Sequence, residues 1–352
     1  MWQMLIKLDR SDREEFERIL GICEMNADML RRYAAYLNSC PRIIDSELAE
    51  RLKKECGVSS REAFCALLSA VLGLDSEESE EDEMLERLYI RPAVKMLDPE
   101  EFTKDPYYQR IRIPSVKKGA WELKYESFAP YEGLVYDDLL VKGHYEIPRI
   151  GFFEEEFIFP AVLENGREWM MITPNEINTM KAPLEKMKGR IVTFGLGMGY
   201  FAYMASLKQE VTEVTVVEKD PSVIELFKEF ILPQFERADK IRLICCDAFE
   251  YARDSMENEA FDCAFTDIWH DASDGLELYV KMKKIEEKNP HTRFEYWVET
   301  TILSTLRHMV LEQLEIAEEG SDASGCISGL DKVLEMLEDS YLKELAKDLK
   351  KI

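Results

Sequence analysis

Four kinds of signal are scarce or absent in this sequence. The eight cysteines contain no Cys-x-x-Cys spacing. Cys245 and Cys246 are adjacent, and Cys23, Cys40, Cys56, Cys65, Cys263 and Cys326 are scattered. That distribution argues against a structural zinc site or a thioredoxin-type pair and fits a reduced, cytoplasmic compartment. No metal is expected. The opening "MWQMLIKLDRSDREEF" lacks the apolar stretch of a secretory signal, and the uncharged runs elsewhere are too short or too glycine-rich for a bilayer span. Positive charge is also in deficit, with 45 Lys and Arg against 70 Asp and Glu and a net charge of −25. A nucleic-acid backbone requires clustered cations, so no nucleic-acid partner is expected. A neutral or cationic small molecule suits this balance, although acidity also serves solubility. Histidine is rare, at four residues.

What is present divides the chain into four parts. Residues 1–90 read as a helical accessory domain. "SDREEFERIL" and "SSREAFCALLSAVLGL" each begin with a capping-box pattern, Ser11 with Glu14 and Ser59 with Glu62. Gly57 and Gly73 fall where helix C-caps belong, and "DSEESEEDE" suits a linker or a solvated helix start. Residues 91–180 read as a β-rich hairpin unit. "AWELKYESF", "GLVYDDLLV", "IPRIGFF" and "FIFPAVLENGREWMMIT" are strand-like, and Asn165-Gly166 is a two-residue hairpin signal. Residues 181–310 alternate strand and helix five times, from "RIVTFG" to "TRFEYWVE", which predicts a parallel sheet covered on both faces. Residues 311–352 read as C-terminal amphipathic helices.

The stretch "RIVTFGLGMGYFAYMAS" joins the first strand of this alternation to a helix. Glycines at 195, 197 and 199 let the backbone approach a ligand closely. The following helix offers unpaired N–H groups and the positive end of its dipole. A dinucleotide fingerprint requires G-x-G-x-x-G, and Tyr200 occupies the third glycine's place, which disfavours a nicotinamide cofactor. The second strand ends "VVEKD", placing Glu218 to accept from ribose hydroxyls. The third ends "CCDAF", placing Asp247 and the Ala248 N–H to read an adenine edge. The fourth ends "FTDIWHD", placing Asp267 at the pocket mouth. Three carboxylates at successive strand ends favour a nucleoside ligand.

Taken together, "VTFGLGMG", "VVEKD", "CCDAF" and "FDCAFTDIW" resemble the class I S-adenosylmethionine-dependent methyltransferases over residues 185–300. The resemblance implies a Rossmann-like, doubly wound, mostly parallel sheet with S-adenosyl-L-methionine as cofactor. Gly195, Gly197 and Gly199 would meet its methionine part, Glu218 its ribose and Asp247 its adenine. One departure is Thr193, where many members carry an acid. The preceding hairpin is similar to that of spermidine synthases, which often lack that acid too. Their D-S-S-D-P motif is matched here only at Asp267, in "DIWHDASDG". The expected activity is methyl transfer to a small or cationic acceptor, with aminopropyl transfer as the alternative and a non-catalytic cofactor-binding scaffold as a third reading.

Candidates for chemistry line the strand ends. Asp267 suits orienting an amine or taking its proton, and His270 suits a base near neutral pH. Trp269 offers an aromatic wall for a cation, and Tyr200 is placed to close over the cofactor. Asp271, Glu299 and Asn175 are candidate substrate contacts, with Glu176 beside Asn175. Each has a plainer alternative, Trp269 as packing and Asp271, Glu299, Asn175 and Thr173 as helix caps. His144, His291 and His308 find no matching partners in the sequence. Oligomeric state is open, and a homo-oligomer is compatible with this reading.

Overall fold

The structure, a computed structural model, describes residues 10–318 and Leu342. Most of the expected C-terminal helices and Cys326 lie outside the described residues, as does the side chain of Ser11 with its expected cap. Among the described residues, no helix is long and apolar enough to cross a membrane.

The first part is helical: α1 (Arg10–Ser39), α2 (Ser46–Cys56), α3 (Ser60–Val71) and α4 (Glu80–Leu85). Local chemistry sets the ends. Asp45 Oδ1 accepts from the Leu48 N–H at 2.9 Å to start α2, and Gly57 stops it in the left-handed conformation at φ 67°. The Ser59–Glu62 box is complete, since Glu62 accepts from the Ser59 N–H at 2.8 Å and Ser59 Oγ accepts from the Glu62 N–H at 3.2 Å. Ser79 caps α4, so the acidic run is in part a helix start.

Then come β1 (Val94–Met96), α5 (Pro99–Thr103), α6 (Pro106–Arg110), β2 (Val116–Lys118), β3 (Trp121–Phe128), β4 (Leu134–Lys142), β5 (Tyr145–Phe152), β6 (Phe157–Glu164) and β7 (Arg167–Met171). The strands make two sheets where the sequence suggested one small antiparallel unit. One is four-stranded and antiparallel, in the order β2-β3-β6-β7. The other, β1-β5-β4, is mixed, because the short β1 runs parallel to β5. Asn165 and Gly166, at φ 52° and 78°, turn the β6–β7 hairpin. Left-handed conformation at both central residues is what a two-residue turn needs to match strand twist. Ile147, Ile150 and Phe152 of β5 share a core with Tyr33, Phe64 and Tyr89 of the helical part. The Phe64 and Phe152 rings stack at 4.2 Å. Hydrophobic packing therefore runs across residue 90.

The remaining chain alternates: α7 (Pro174–Lys186), β8 (Gly189–Phe194), α8 (Tyr200–Leu207), β9 (Val211–Glu218), α9 (Pro221–Leu226), β10 (Ile241–Cys245), α10 (Ala248–Asp254), α11 (Met256–Glu259), β11 (Cys263–Thr266), α12 (Ala272–Glu286), β12 (Arg293–Tyr296) and α13 (Glu299–Glu318). Its five strands form one sheet in the order β10-β9-β8-β11-β12, and every neighbouring pair is parallel. Alternate residues feed opposite faces. Ile191, Val214, Val216 and Phe265 enter one core, and Val192, Phe194, Val217 and Ala264 enter the other. A sheet buried on both faces explains why these strands read as continuous apolar runs. The last strand stops at Tyr296, and Val298 turns the chain at φ 44° into α13.

Candidate functional site

Strand order reverses at β8, with β9 on one side and β11 on the other. Loops leaving β8 and β11 part there, and open α/β sheets bind ligands in such a crevice. The two loops touch at Gly195. At φ 97°, a Cβ on Gly195 would lie 1.9 Å from the Asp267 carbonyl oxygen. Gly199, at φ 75°, faces the Phe227 ring, where a Cβ would come within 2.3 Å. These two glycines thus serve close approach of the chain to itself. Gly197, at φ 52°, lies under β7, where a Cβ would meet Met170 Cε at 3.0 Å. It lines an apolar cavity of about 20 Å³ with Trp121, Trp169 and Phe227.

The strand-end carboxylates hold this loop region in shape. Glu218 is buried; its Oε2 accepts from the Leu196 N–H at 3.2 Å and its Oε1 from the Asp220 N–H at 2.9 Å. Asp247 Oδ1 caps α10, accepting from the N–H groups of Phe249 at 2.9 Å and Glu250 at 3.1 Å. Ala248 is the first, buried residue of that helix. A carboxylate has about four acceptor sites, so both acids keep capacity for a ligand's donors. Thr193 is buried, with its hydroxyl 3.5 Å from the Gly195 carbonyl.

Tyr200 is not placed to close over a ligand. It is buried, and its hydroxyl donates to Asp105 Oδ2 at 2.9 Å. Its ring packs on Tyr107 at 5.5 Å, and the Tyr107 hydroxyl donates to the Met198 carbonyl at 2.7 Å. The short helix α6 thereby clamps the glycine loop. Asp105 and Pro106 at the start of "DPYYQR" announce a helix cap in the sequence. Nothing local announces its partner on the loop.

The fourth-strand end carries the unusual electrostatics. Asp267 follows β11, and its N–H donates to the Phe194 carbonyl at 2.9 Å. Burial pushes its carboxyl up to about 7. Glu176 in the first turn of α7 is only 4% exposed, and burial, then the charge of Asp267, push its carboxyl well above the usual range. Glu176 Oε1 has no hydrogen-bond partner among the described residues. Two carboxyls desolvated together favour a protonated member, and a cation entering between them would satisfy both. The neighbouring Asn175 is half-buried, with its carbonyl accepting from Thr179 Oγ1 at 2.7 Å, and Thr173 stands at the cap position of α7 without a side-chain cap bond.

The other candidates disperse. Trp269 is buried, and its ring stands where a Cβ on Gly275 would come within 2.9 Å, so it packs the β11 loop on α12. His270 is exposed, with Nδ1 3.2 Å from Asp274 Oδ2. Asp271 is also exposed; its N–H donates to Asp274 at 3.0 Å and its Oδ1 accepts from the Asp274 N–H at 3.4 Å, at the start of α12. Glu299 opens α13 rather than closing a strand, and its Oε1 accepts from the Tyr279 hydroxyl at 2.7 Å. Burial pushes the Glu299 carboxyl up.

No protein-family model matches the chain, and no curated protein matches it. Among solved structures, spermidine synthase from Thermotoga maritima is 13% identical, with 44% of this chain and 55% of that chain covered at a TM-score of 0.30. Precorrin 8W decarboxylase from Methanobacterium thermoautotrophicum is 22% identical, with 33% and 58% covered at 0.26. A human methyltransferase 10 domain containing protein is 11% identical, with 32% and 53% covered at 0.25. The chain spans a little over half the length of each of these structures. At such scores the overlaps are local, and the Rossmann-like character of residues 189–296 rests on the order and parallel pairing of the chain's own five strands.

Proposed function

We propose that this chain is an S-adenosylmethionine-dependent methyltransferase whose acceptor is a small amine. The observation that carries the reading is the pair of acids formed by the buried Glu176 and the half-buried Asp267, both shifted upward, beside the glycine loop at the switch point. Two acids shifted upward together, one with an unpartnered oxygen, suit a cationic group.

Bound S-adenosylmethionine would supply an activated methyl carbon. Gly195 and Gly197 would hold its methionine part, Glu218 its ribose hydroxyls, and Asp247 with the Ala248 N–H its adenine. Asp267 would accept a proton from the acceptor ammonium, leaving a free lone pair on nitrogen for in-line attack. With its carboxyl near 7, Asp267 is matched to proton transfer at neutral pH. Glu176 would accept a hydrogen bond from the same nitrogen or donate one to Asp267, which fixes the acceptor's direction.

A second reading, aminopropyl transfer from decarboxylated S-adenosylmethionine, is favoured by two observations. The antiparallel sheet covers the loop through Met170, and no acid stands at Thr193. Calorimetry and thermal shift with S-adenosylmethionine, its demethylated product, its decarboxylated form and NAD separate the readings. A ligand at 100 times its dissociation constant adds about 2.7 kcal/mol of stability. Preference for the first two ligands supports methyl transfer, and preference for the decarboxylated form supports the second reading, with polyamine product from putrescine as the check. Binding without turnover of any amine leaves a cofactor-binding scaffold. No response to the three sulfur ligands rejects all of these.

A further inference from the structure

The strand ends carry a second set of aromatic and acidic groups that the proposed transfer leaves unused. Tyr296 closes β12 and pairs with Thr266 at the end of β11, so it stands on the same edge of the sheet as the glycine loop. Tyr279 of α12 packs against it, with ring centroids 4.8 Å apart and planes at 71°. Both residues are buried. Each hydroxyl is committed to a carboxylate, Tyr279 donating to Glu299 Oε1 and Tyr296 to Glu286 Oε2, both at 2.7 Å. A phenol that donates to a carboxylate has a more electron-rich ring, and the face of such a ring attracts a cation.

The two rings hold an ammonium. Lys283 Nζ lies 5.0 Å from the Tyr296 centroid and 5.8 Å from that of Tyr279, within the range of cation–π attraction, and 2.6 Å from Glu286 Oε2. Two ring faces and a carboxylate around one cation are the elements of an ammonium cage. Its occupant is held lightly. Lys283 and Glu286 are an i,i+3 pair on one helix, among the weaker kinds of ion pair. The Lys283 side chain keeps 23% of its surface in solvent and hangs on a flexible four-carbon stem. Glu299 receives the Tyr279 hydroxyl, and burial pushes its carboxyl up. Two carboxyls and two rings thus share one ammonium, whose exchange for another requires only that a side chain swing out.

We propose that Tyr279, Tyr296, Glu286 and Glu299 form a binding site for an aliphatic ammonium ion, which Lys283 fills in the free protein and leaves when the ligand enters. The site suits an amine on an unbranched carbon chain, because the group it already holds is an ammonium on four carbons. It is distinct from the acid pair of the crevice and needs neither S-adenosylmethionine nor turnover. The two sites are nonetheless joined. Trp297, the residue after Tyr296, donates from Nε1 to Thr179 Oγ1 at 3.0 Å on α7, the helix that carries Glu176.

The test uses the full chain and n-butylammonium, which copies the Lys283 side chain from Cβ outward. Reductive methylation with isotopically labelled formaldehyde places a reporter on every lysine and keeps its charge. Ring currents from the two tyrosines should displace the Lys283 methyl signal upfield, and its loss in Lys283→Arg identifies it. Added n-butylammonium should return that signal to the position of exposed lysines in a saturable way, whereas sodium chloride at equal ionic strength should not. Calorimetry on unmethylated protein should then show Lys283→Ala binding n-butylammonium about tenfold tighter than the unsubstituted chain, the factor expected if the lysine is out of the cage about one-tenth of the time. Glu176→Gln should leave that affinity unchanged. No displaced signal, or one that the amine leaves in place, would overturn the proposal and make Lys283 a fixed tie between α12 and β12, and that reading needs no variant to fold. An affinity that falls in Glu176→Gln and does not rise in Lys283→Ala would also overturn it, by placing the amine in the crevice.

Discussion

Glu176 and Glu146 are both buried, at 4% and 0% exposure, and they are shifted in opposite directions. Burial pushes both up. At Glu146, hydrogen bonds from His308 and Ser304 and the charges of His308 and Arg307 outweigh it, and the carboxyl ends below its usual range. At Glu176 the charged neighbour is another carboxyl, Asp267, and the shift is further upward. One site is satisfied within the chain, and at the other Glu176 Oε1 has no hydrogen-bond partner among the described residues. A buried carboxylate with three partners ties elements together. Two carboxyls shifted upward together cost stability at neutral pH.

The widest separation of the two sites is in stability. Glu146→Ala leaves Arg307 and His308 without their counter-charge, and loss of one partner of a buried ion pair costs about 3–5 kcal/mol. Chemical denaturation of the variant measures it. The pH profile gives the sign. The folded His308 is raised from 6.5 to about 10, so its contribution is whole below 6.5 and is lost as pH rises through about 10. Glu146 is lowered, so its contribution is present above its ordinary value of 4.5 and is lost on acidification. Glu146→Gln should flatten the alkaline slope. An unchanged slope would mean that the cluster is not ionised as described.

The acid pair should behave oppositely. Asp267→Asn should lower methyl transfer by about 10²–10³-fold, within the range of lost general-base catalysis. Stability should be unchanged or improved. The folded Asp267 is raised from 3.8 to about 7, so its contribution is whole below 3.8 and is lost as pH rises through about 7. Melting temperature should therefore decline across that window in the unsubstituted protein and level out in Asp267→Asn and Glu176→Gln. A variant that loses stability at neutral pH would make the pair a structural tie like Glu146.

Much of the frame around these sites is legible in the sequence, because local rules govern it. Asn165-Gly166, the Ser59–Glu62 box and the two-faced apolar strands each carry their geometry within a few residues. The positions of Glu218, Asp247 and Asp267 at strand ends follow from that pattern. The side-chain partners do not. Which oxygen of Glu218 faces Leu196, or that Tyr200 is held by Asp105, depends on segments folded far apart. His308 finds no partner in the sequence because Glu146 lies 162 positions away. The short β1 pairs parallel to β5 through three residues, too few to show a period.

The glycine loop gives a smaller test. Gly195→Ala places a Cβ against the Asp267 carbonyl at φ 97°, with strain of about 1–3 kcal/mol, and moves Asp267 with it. Gly197→Ala meets only the flexible end of Met170, and left-handed alanine costs about 1–2 kcal/mol. Transfer should suffer more in the first than in the second, with cofactor binding measured in both. The reverse order would make Gly197, and not the contact between the two loops, the determinant of the site.

The smallest effect is expected at His270, the second candidate base of the sequence. Its side chain is 71% exposed, and its ring contact at 3.2 Å is to Asp274. The helix-start contacts of Asp274 with the His270 and Asp271 N–H groups pass through backbone and survive substitution. His270→Ala should leave the denaturation midpoint unchanged and alter kcat/KM by less than about twofold, as exposed pairs contribute little. The measurement separates two roles for the crevice acids. If His270→Ala slowed transfer as much as Asp267→Asn, proton removal would fall to an exposed imidazole reaching in from the α12 side. Glu176 and Asp267 would then be a cradle for the ammonium alone.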